Sequence, residues 1–202
     1  TWEGQSLATC EQQLNDWGYC PPNWQEMTDL LVFPSEHSRQ HHVNDEKVAL
    51  ASSFSAEDVA IIHMMVQVNP KSRIFTLDTG RLDQETYDVM DKIRDTYHVA
   101  IEVMFPNAET VERMVREKGL NLFYHSIENR KLCCGIRKVE PLNRALATVD
   151  AWMTGLRREQ VVTRAAVKKV DLDADHGGIA KINPLADWTW QQTTEYVKHN
   201  GI

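Results

Sequence analysis

No stretch of the sequence approaches the roughly 20 consecutive apolar residues that a membrane-spanning helix needs, which excludes a helical membrane protein. Residues 1–10 lack the basic-then-apolar build of a secretory leader, so a cytoplasmic setting is expected. Glycine and proline are scarce, nine and seven in 202 residues, and no internal repeat or low-complexity tract is present. Collagen-like and disordered chains are thereby excluded. Only four cysteines occur, too few for a disulfide scaffold; in a reducing compartment they point to metal ligation or reactive thiols. Basic residues are outnumbered, giving a formal net charge of −7. A general nucleic-acid binder carries a basic face, so that class is set aside, and an anionic ligand would need a local cationic pocket.

What is present is an α/β pattern. Residues 1–45 are polar and irregular, with a weak helical signal over 7–17, and are expected to form an N-terminal extension to a core over 46–202. Val48, Ala49, Leu50 and Ala51 form a short apolar run, as a buried parallel strand should. Further strands are predicted at 73–77, 100–104 and 151–154. Helices are predicted over 59–68, 83–96, 107–118 and 135–147, with a hairpin over 166–183 and a last helix from Thr189. This alternation predicts one mostly parallel twisted sheet with helices on both faces.

Three segments follow strands, and so project from the carboxyl edge where open α/β sheets bind ligands. Ser52, Ser53, Phe54, Ser55, Ala56, Glu57 and Asp58 lead from strand to helix. Such a loop offers small hydroxyls, backbone N–H groups and a positive helix end to an anion. A plainer role is an N-cap at Ser55, with Asp58 completing a capping box. The loop is not a phosphate-binding P-loop, since the glycines and lysine of that motif are missing. In Leu77, Asp78, Thr79, Gly80 and Arg81, the glycine allows a tight backbone path and the arginine a fork of donors for phosphate or sulfate. A solvated turn would read the same way. Thr154, Gly155, Leu156, Arg157, Arg158, Glu159 and Gln160 add paired arginines, with Arg164 beyond them; a local charge cluster involving Glu159 is the alternative.

Cys133 and Cys134 are adjacent and are followed by Gly135, Ile136, Arg137 and Lys138. Neighbouring cysteines bridge each other only with strain, whereas two thiolates at a predicted helix start beside two cations suit a metal or cluster. Two buried, inert cysteines are the alternative. An acidic chain that sends Arg81, Arg137, Lys138, Arg157, Arg158 and Arg164 to one edge is built to hold a polyanion.

Taken in order and spacing, these four motifs resemble the adenylyl-sulfate and phosphoadenylyl-sulfate reductases of sulfate assimilation, over about residues 46–202. The resemblance implies an adenine-nucleotide α-hydrolase-like fold. It implies that Ser52, Ser53 and Ser55 hold the phosphosulfate, with Asp58 supporting the loop. Leu77, Thr79, Gly80 and Arg81 would contact the nucleotide, and Gly155, Arg157, Arg158 and Arg164 would border its pocket. Arg137 and Lys138 would act as catalytic cations, neutralising the anion and tuning a 4Fe-4S cluster held in part by Cys133 and Cys134. Paired cysteines mark most members that use adenylyl sulfate, whereas members lacking them mostly use the 3′-phosphorylated form. The implied reaction yields sulfite and AMP through an enzyme S-sulfocysteine, with thioredoxin or a glutaredoxin-type donor as partner. The family nucleophile lies in a Glu-Cys-Gly-Leu-His segment, and the other cluster pair in a Cys-x-x-Cys. Both are expected beyond Ile202, as though the chain lacks the family's C-terminal segment. Cys10 and Cys20 do not have the family spacing. Val161 and Val162 depart from the small polar residue usual there.

Three alternatives stand beside this reading: a phosphoadenylyl-sulfate reductase, an ATP pyrophosphatase or adenylyltransferase-like enzyme, and a non-catalytic nucleotide-binding module. The second typically carries a Ser-Gly-Gly-x-Asp-Ser loop, whose glycines this chain lacks. The oligomeric state is left open, a homo-oligomer included.

Overall fold

A computed structural model describes residues 47–202. The expectations for residues 1–45, for a helix over 7–17 and for Cys10 and Cys20 lie outside them.

Among the described residues, six strands form one sheet: β1 (Val48–Ala51), β2 (Arg73–Leu77), β3 (Ile101–Met104), β4 (Ala151–Met153), β5 (Val170–Asp173) and β6 (Ile179–Ile182). The spatial order is β3-β2-β1-β4-β6-β5. All pairings are parallel except that of β5 with β6. Six α-helices among the described residues accompany them: α1 (Ala56–Val68), α2 (Gln84–Tyr97), α3 (Ala108–Lys118), α4 (Ile127–Cys134), α5 (Glu140–Leu146) and α6 (Trp190–His199).

The period-2 alternation of side chains divides the sheet's neighbours into two layers. Leu50, Ile74 and Met153 pack with α1, α2 and α6 residues such as Ile61, Ile93 and Tyr196. Ala49, Phe75 and Trp152 point the other way, onto Ala145 and Leu146 of α5. Both faces of β1 and β2 are covered, which is why those strands read as continuous apolar runs. Helix α1, almost wholly apolar from Val59 to Met65, is buried on nearly every side.

The predicted hairpin exists as β5 and β6, turned through Gly177 and Gly178, both at positive φ. Strand β6 then joins β4 in parallel register, which local pattern does not reveal. The helix expected over 135–147 is a correction. The helical path already begins at Ile127, capped by the Ser126 side chain on Asn129 N–H, and passes through one π-helical turn (Gly135–Val139) into α5. Cys133 and Cys134 therefore end a helix rather than start one.

The chain runs from β1 outward through β2 to β3, then returns to place β4 on the other side of β1. That reversal between β1 and β4 opens the crevice at which ligands of open parallel sheets bind. The loop after β1 and the loop after β4 form its walls.

Candidate functional site

The serine loop is folded around one carboxylate. Asp58, on the first turn of α1, accepts the Ser53 backbone N–H at 2.6 Å and the Ser53 hydroxyl at 2.8 Å. The Phe54 N–H is taken by the Ser52 hydroxyl oxygen at 3.0 Å, and Phe54 itself sits at φ 59°, with its ring buried. Burial pushes the Asp58 carboxyl above its ordinary value, partly offset by the bonds from Ser53 and from the Gly155 N–H. Ser55 occupies the α1 cap position, yet its side chain makes no capping bond. The capping box anticipated between Ser55 and Asp58 is absent because Asp58 turns back to Ser53. The Ser55 hydroxyl is exposed, and no side chain caps the start of α1.

Gly155 seals the loop after β4 onto this structure. A Cβ there would lie 2.3 Å from Asp58 Oδ1 and 2.9 Å from Glu57 Cβ. Only glycine lets the two walls of the crevice meet so closely.

In the second loop, Asp78 accepts the Gly80 N–H at 2.7 Å and the Tyr87 hydroxyl at 2.8 Å. Gly80 sits at φ 71°, the left-handed region that favours glycine. Arg137, itself buried, crosses from the π turn to donate to the Thr79 carbonyl at 2.6 Å. The π turn that follows the cysteine helix and the loop after β2 are thus joined directly. Leu77 ends β2 beneath them.

Of the six cations expected at this edge, four are committed to protein groups: Arg137, as just described, and Arg157, Arg158 and Arg81. Arg157 is 3% exposed and lies between Glu57 at 2.9 Å and Glu159 at 3.0 Å, with Trp190 against its guanidinium. Arg158 binds the Val167 carbonyl at 2.6 Å and pairs with Asp187. Arg81 donates to the Leu120 carbonyl at 2.9 Å and to Asn121 at 3.1 Å, over the Phe123 ring. Lys138 is exposed and makes no hydrogen bond or ion pair among the described residues. Arg164 donates to the Gln160 side-chain oxygen, and its other side-chain donors are unbonded among the described residues. The cationic edge is therefore sparser than the composition of the motifs implied.

Three residues that shape the site, Glu57, Asp78 and Gln160, carry no distinguishing signal in the sequence. Glu57 is 5% exposed and accepts from Arg157 and from Gln160 Nε2 at 2.9 Å. Burial works to raise its carboxyl. Hydrogen bonds from Gln160, from its own backbone N–H and from Arg157 prevail, so the net direction is downward. Its signal was an acidic residue beside Asp58 in a first turn, indistinguishable from ordinary helix-end chemistry.

Cys133 and Cys134 are free thiols. Consecutive helical residues project about 100° apart. Cys133 packs on Met114 and Leu122, whereas Cys134 is exposed. No group of three or more potential metal-ligand side chains converges among the described residues.

The profile described as the phosphoadenosine phosphosulfate reductase domain matches residues 47–202. An adenosine 5'-phosphosulfate reductase of Burkholderia cepacia is 51% identical over 153 residues, covering 76% of this chain and 61% of that protein. The corresponding protein of Allochromatium vinosum is 40% identical over 157 residues, covering 78% and 61%. The chain thus spans about six tenths of the length of these relatives. Among solved structures, a phosphoadenylyl-sulfate reductase from Candida auris superposes with a TM-score of 0.66 at 24% identity, covering 91% of this chain and 89% of that one. An ATP complex of Candida glabrata FMN adenylyltransferase gives 0.54 at 10% identity, covering 98% and 57%. These likenesses establish the adenine-nucleotide α-hydrolase type of fold. No helix among the described residues is long and apolar enough to cross a membrane.

Proposed function

The chain belongs to the phosphoadenosine phosphosulfate reductase domain family, and on that premise we propose that it binds adenylyl sulfate and serves its reduction to sulfite and AMP. The observation that carries this reading is the crevice between β1 and β4. A serine loop knotted around Asp58 meets Gly155 there, and Arg137 links the neighbouring Leu77-to-Arg81 loop to the cysteine helix.

Each group has a definite task. Ser53 is held by Asp58, so it shapes the loop and presents its backbone; Ser55 and the uncapped start of α1 receive the anion. Lys138 and Arg164 supply positive charge to the phosphosulfate, while Arg157 and Arg158 build the crevice wall. Thr79 and Gly80 offer backbone to the nucleotide, fixed from behind by Arg137. In the reaction, a cysteine thiolate attacks the sulfate sulfur as the bond from sulfur to the phosphate oxygen breaks. AMP leaves and an S-sulfocysteine remains. A thioredoxin-type dithiol then releases sulfite and ends as a disulfide. Residues 47–202 contain no Glu-Cys-Gly-Leu-His segment for the nucleophile. The cations and loop amides stabilise the charge developing on the leaving phosphate.

Cys133 and Cys134 would hold two of the four irons of a 4Fe-4S cluster, whose contribution is electrostatic and structural because the electrons come from thiols. Arg137 and Lys138, on the next turn, set the local positive potential. Anaerobically purified protein containing this domain is expected to carry iron and to form sulfite from adenylyl sulfate with thioredoxin. Preference for the 3′-phosphorylated nucleotide, or pyrophosphate release from ATP without sulfite, would overturn the reading.

A further inference from the structure

Gln160 ends the short 3-10 turn after β4 (Arg158–Gln160), and its amide faces two charged groups of opposite sign. Nε2 donates to Glu57 Oε1 at 2.9 Å. Oε1 accepts the Arg157 backbone N–H at 3.2 Å and a guanidinium N–H of Arg164. A carboxylate only accepts and a guanidinium only donates, so the amide has one orientation that satisfies both. Glu57 is in turn immobilised by Arg157, with the side chains of the pair 7% and 4% exposed. A rigid buried ion pair therefore reaches a partly buried arginine through a single amide.

We propose that Gln160 is a positioning residue that transmits the fixed Glu57–Arg157 pair to Arg164 and holds that guanidinium ready for the anionic end of the substrate. This rests on the adenylyl-sulfate reading above. The physical gain is entropic. A free arginine side chain loses about 2 kcal/mol of rotamer entropy when a ligand orders it, and a side chain ordered beforehand loses less. Arg164 keeps its other guanidinium donors unbonded among the described residues, so the contact aligns it without consuming it.

The test is a double-mutant cycle on adenylyl-sulfate affinity, measured by calorimetry on the chain itself. Gln160→Met keeps the side-chain length and removes both halves of the amide. It is expected to weaken binding about tenfold in the parent and to have almost no effect in an Arg164→Ala background. Equal losses in both backgrounds would mean general loosening and would overturn the proposal. Gln160→Glu, compared at a pH low enough to protonate its carboxyl, gives the rescue arm, because that group can then still donate to Glu57 and accept from Arg164. It should retain affinity that Gln160→Met loses, and equal loss in both counts against the relay. The Arg164 side-chain Nε–H resonance, identified through Arg164→Lys, provides a readout without ligand. It should broaden or shift in Gln160→Met, and an unchanged resonance overturns the inference. A parent chain that binds no adenylyl sulfate but shows the resonance change would defeat the functional reading while leaving the relay standing.

Discussion

Replacing Arg157 by methionine should expose how strongly the crevice wall depends on one buried ion pair. Methionine preserves much of the side chain's length, so packing against Trp190 changes little while the charge disappears. What remains is the Glu57 carboxylate, its side chain 7% exposed, with Gln160 as its remaining side-chain donor. Removing one partner of a buried pair costs about 3–5 kcal/mol, far more than for a surface pair. In a chain of this size that corresponds to a fall in Tm of about 10 °C. The loss should depend on pH in a definite direction. In the parent, the Glu57 carboxyl lies below its ordinary value. Its stabilisation is therefore present above the unfolded-state pKa and lost as pH falls through the folded-state value. In the variant, burial acts without Arg157 and raises the carboxyl, so the penalty is present at neutral pH and fades as the group protonates. The gap between parent and variant should narrow from pH 7 toward about pH 4. Urea unfolding followed by circular dichroism at both pH values measures it. Replacing both partners, Glu57→Met with Arg157→Met, should recover most of the loss. A single variant within about 1 kcal/mol of the parent would refute the reasoning and return Arg157 to the pool of substrate contacts.

Gly155→Ala places a Cβ 2.3 Å from Asp58 Oδ1, so the walls must part. Thermal unfolding should show a loss of about 1–3 kcal/mol, together with weaker nucleotide binding. Asp58 has the opposite linkage from Glu57. Its raised carboxyl gives stability that is present below the unfolded-state pKa and lost as pH rises through the folded-state value. Asp58→Asn removes that loss, so its stability relative to the parent should increase between about pH 4 and pH 7, and a relative decrease in urea midpoint would contradict this. Cys134 is exposed and Cys133 buried, so in cluster-free protein N-ethylmaleimide should modify Cys134 first, with Cys133 following only on unfolding. Peptide mass mapping separates the two sites, and equal rates would show that the Met114–Leu122 pocket does not shield Cys133.

The parallel core was legible because burial on both faces leaves an unmistakable apolar run, as in Val48 to Ala51. The start of α4 was not, because residues Ile127 to Lys131 include four polar positions and lack the apolar period that announces a helix. The cysteine pair was consequently placed at a helix start when it closes one. The serine loop and Gly155 were found as separate motifs, and their contact explains both. The cations show where sequence pattern stops. Glu57 and Arg157 lie 100 residues apart, and Arg158 meets Asp187 across 29, so nothing local distinguishes a paired arginine from a ligand-facing one. Gln160 escaped notice for the same reason, since an amide acquires meaning only from the two charges that the fold sets on either side of it.

The central claim is that the crevice between β1 and β4 holds a sulfonucleotide, and calorimetric titration of the chain with adenylyl sulfate tests it most directly. The account predicts saturable binding of adenylyl sulfate that is weakened about tenfold or more by Lys138→Ala and by Ser55→Pro, which adds a side chain without a hydroxyl at the start of α1. Binding that is absent, that favours ATP, or that is indifferent to both substitutions would contradict it.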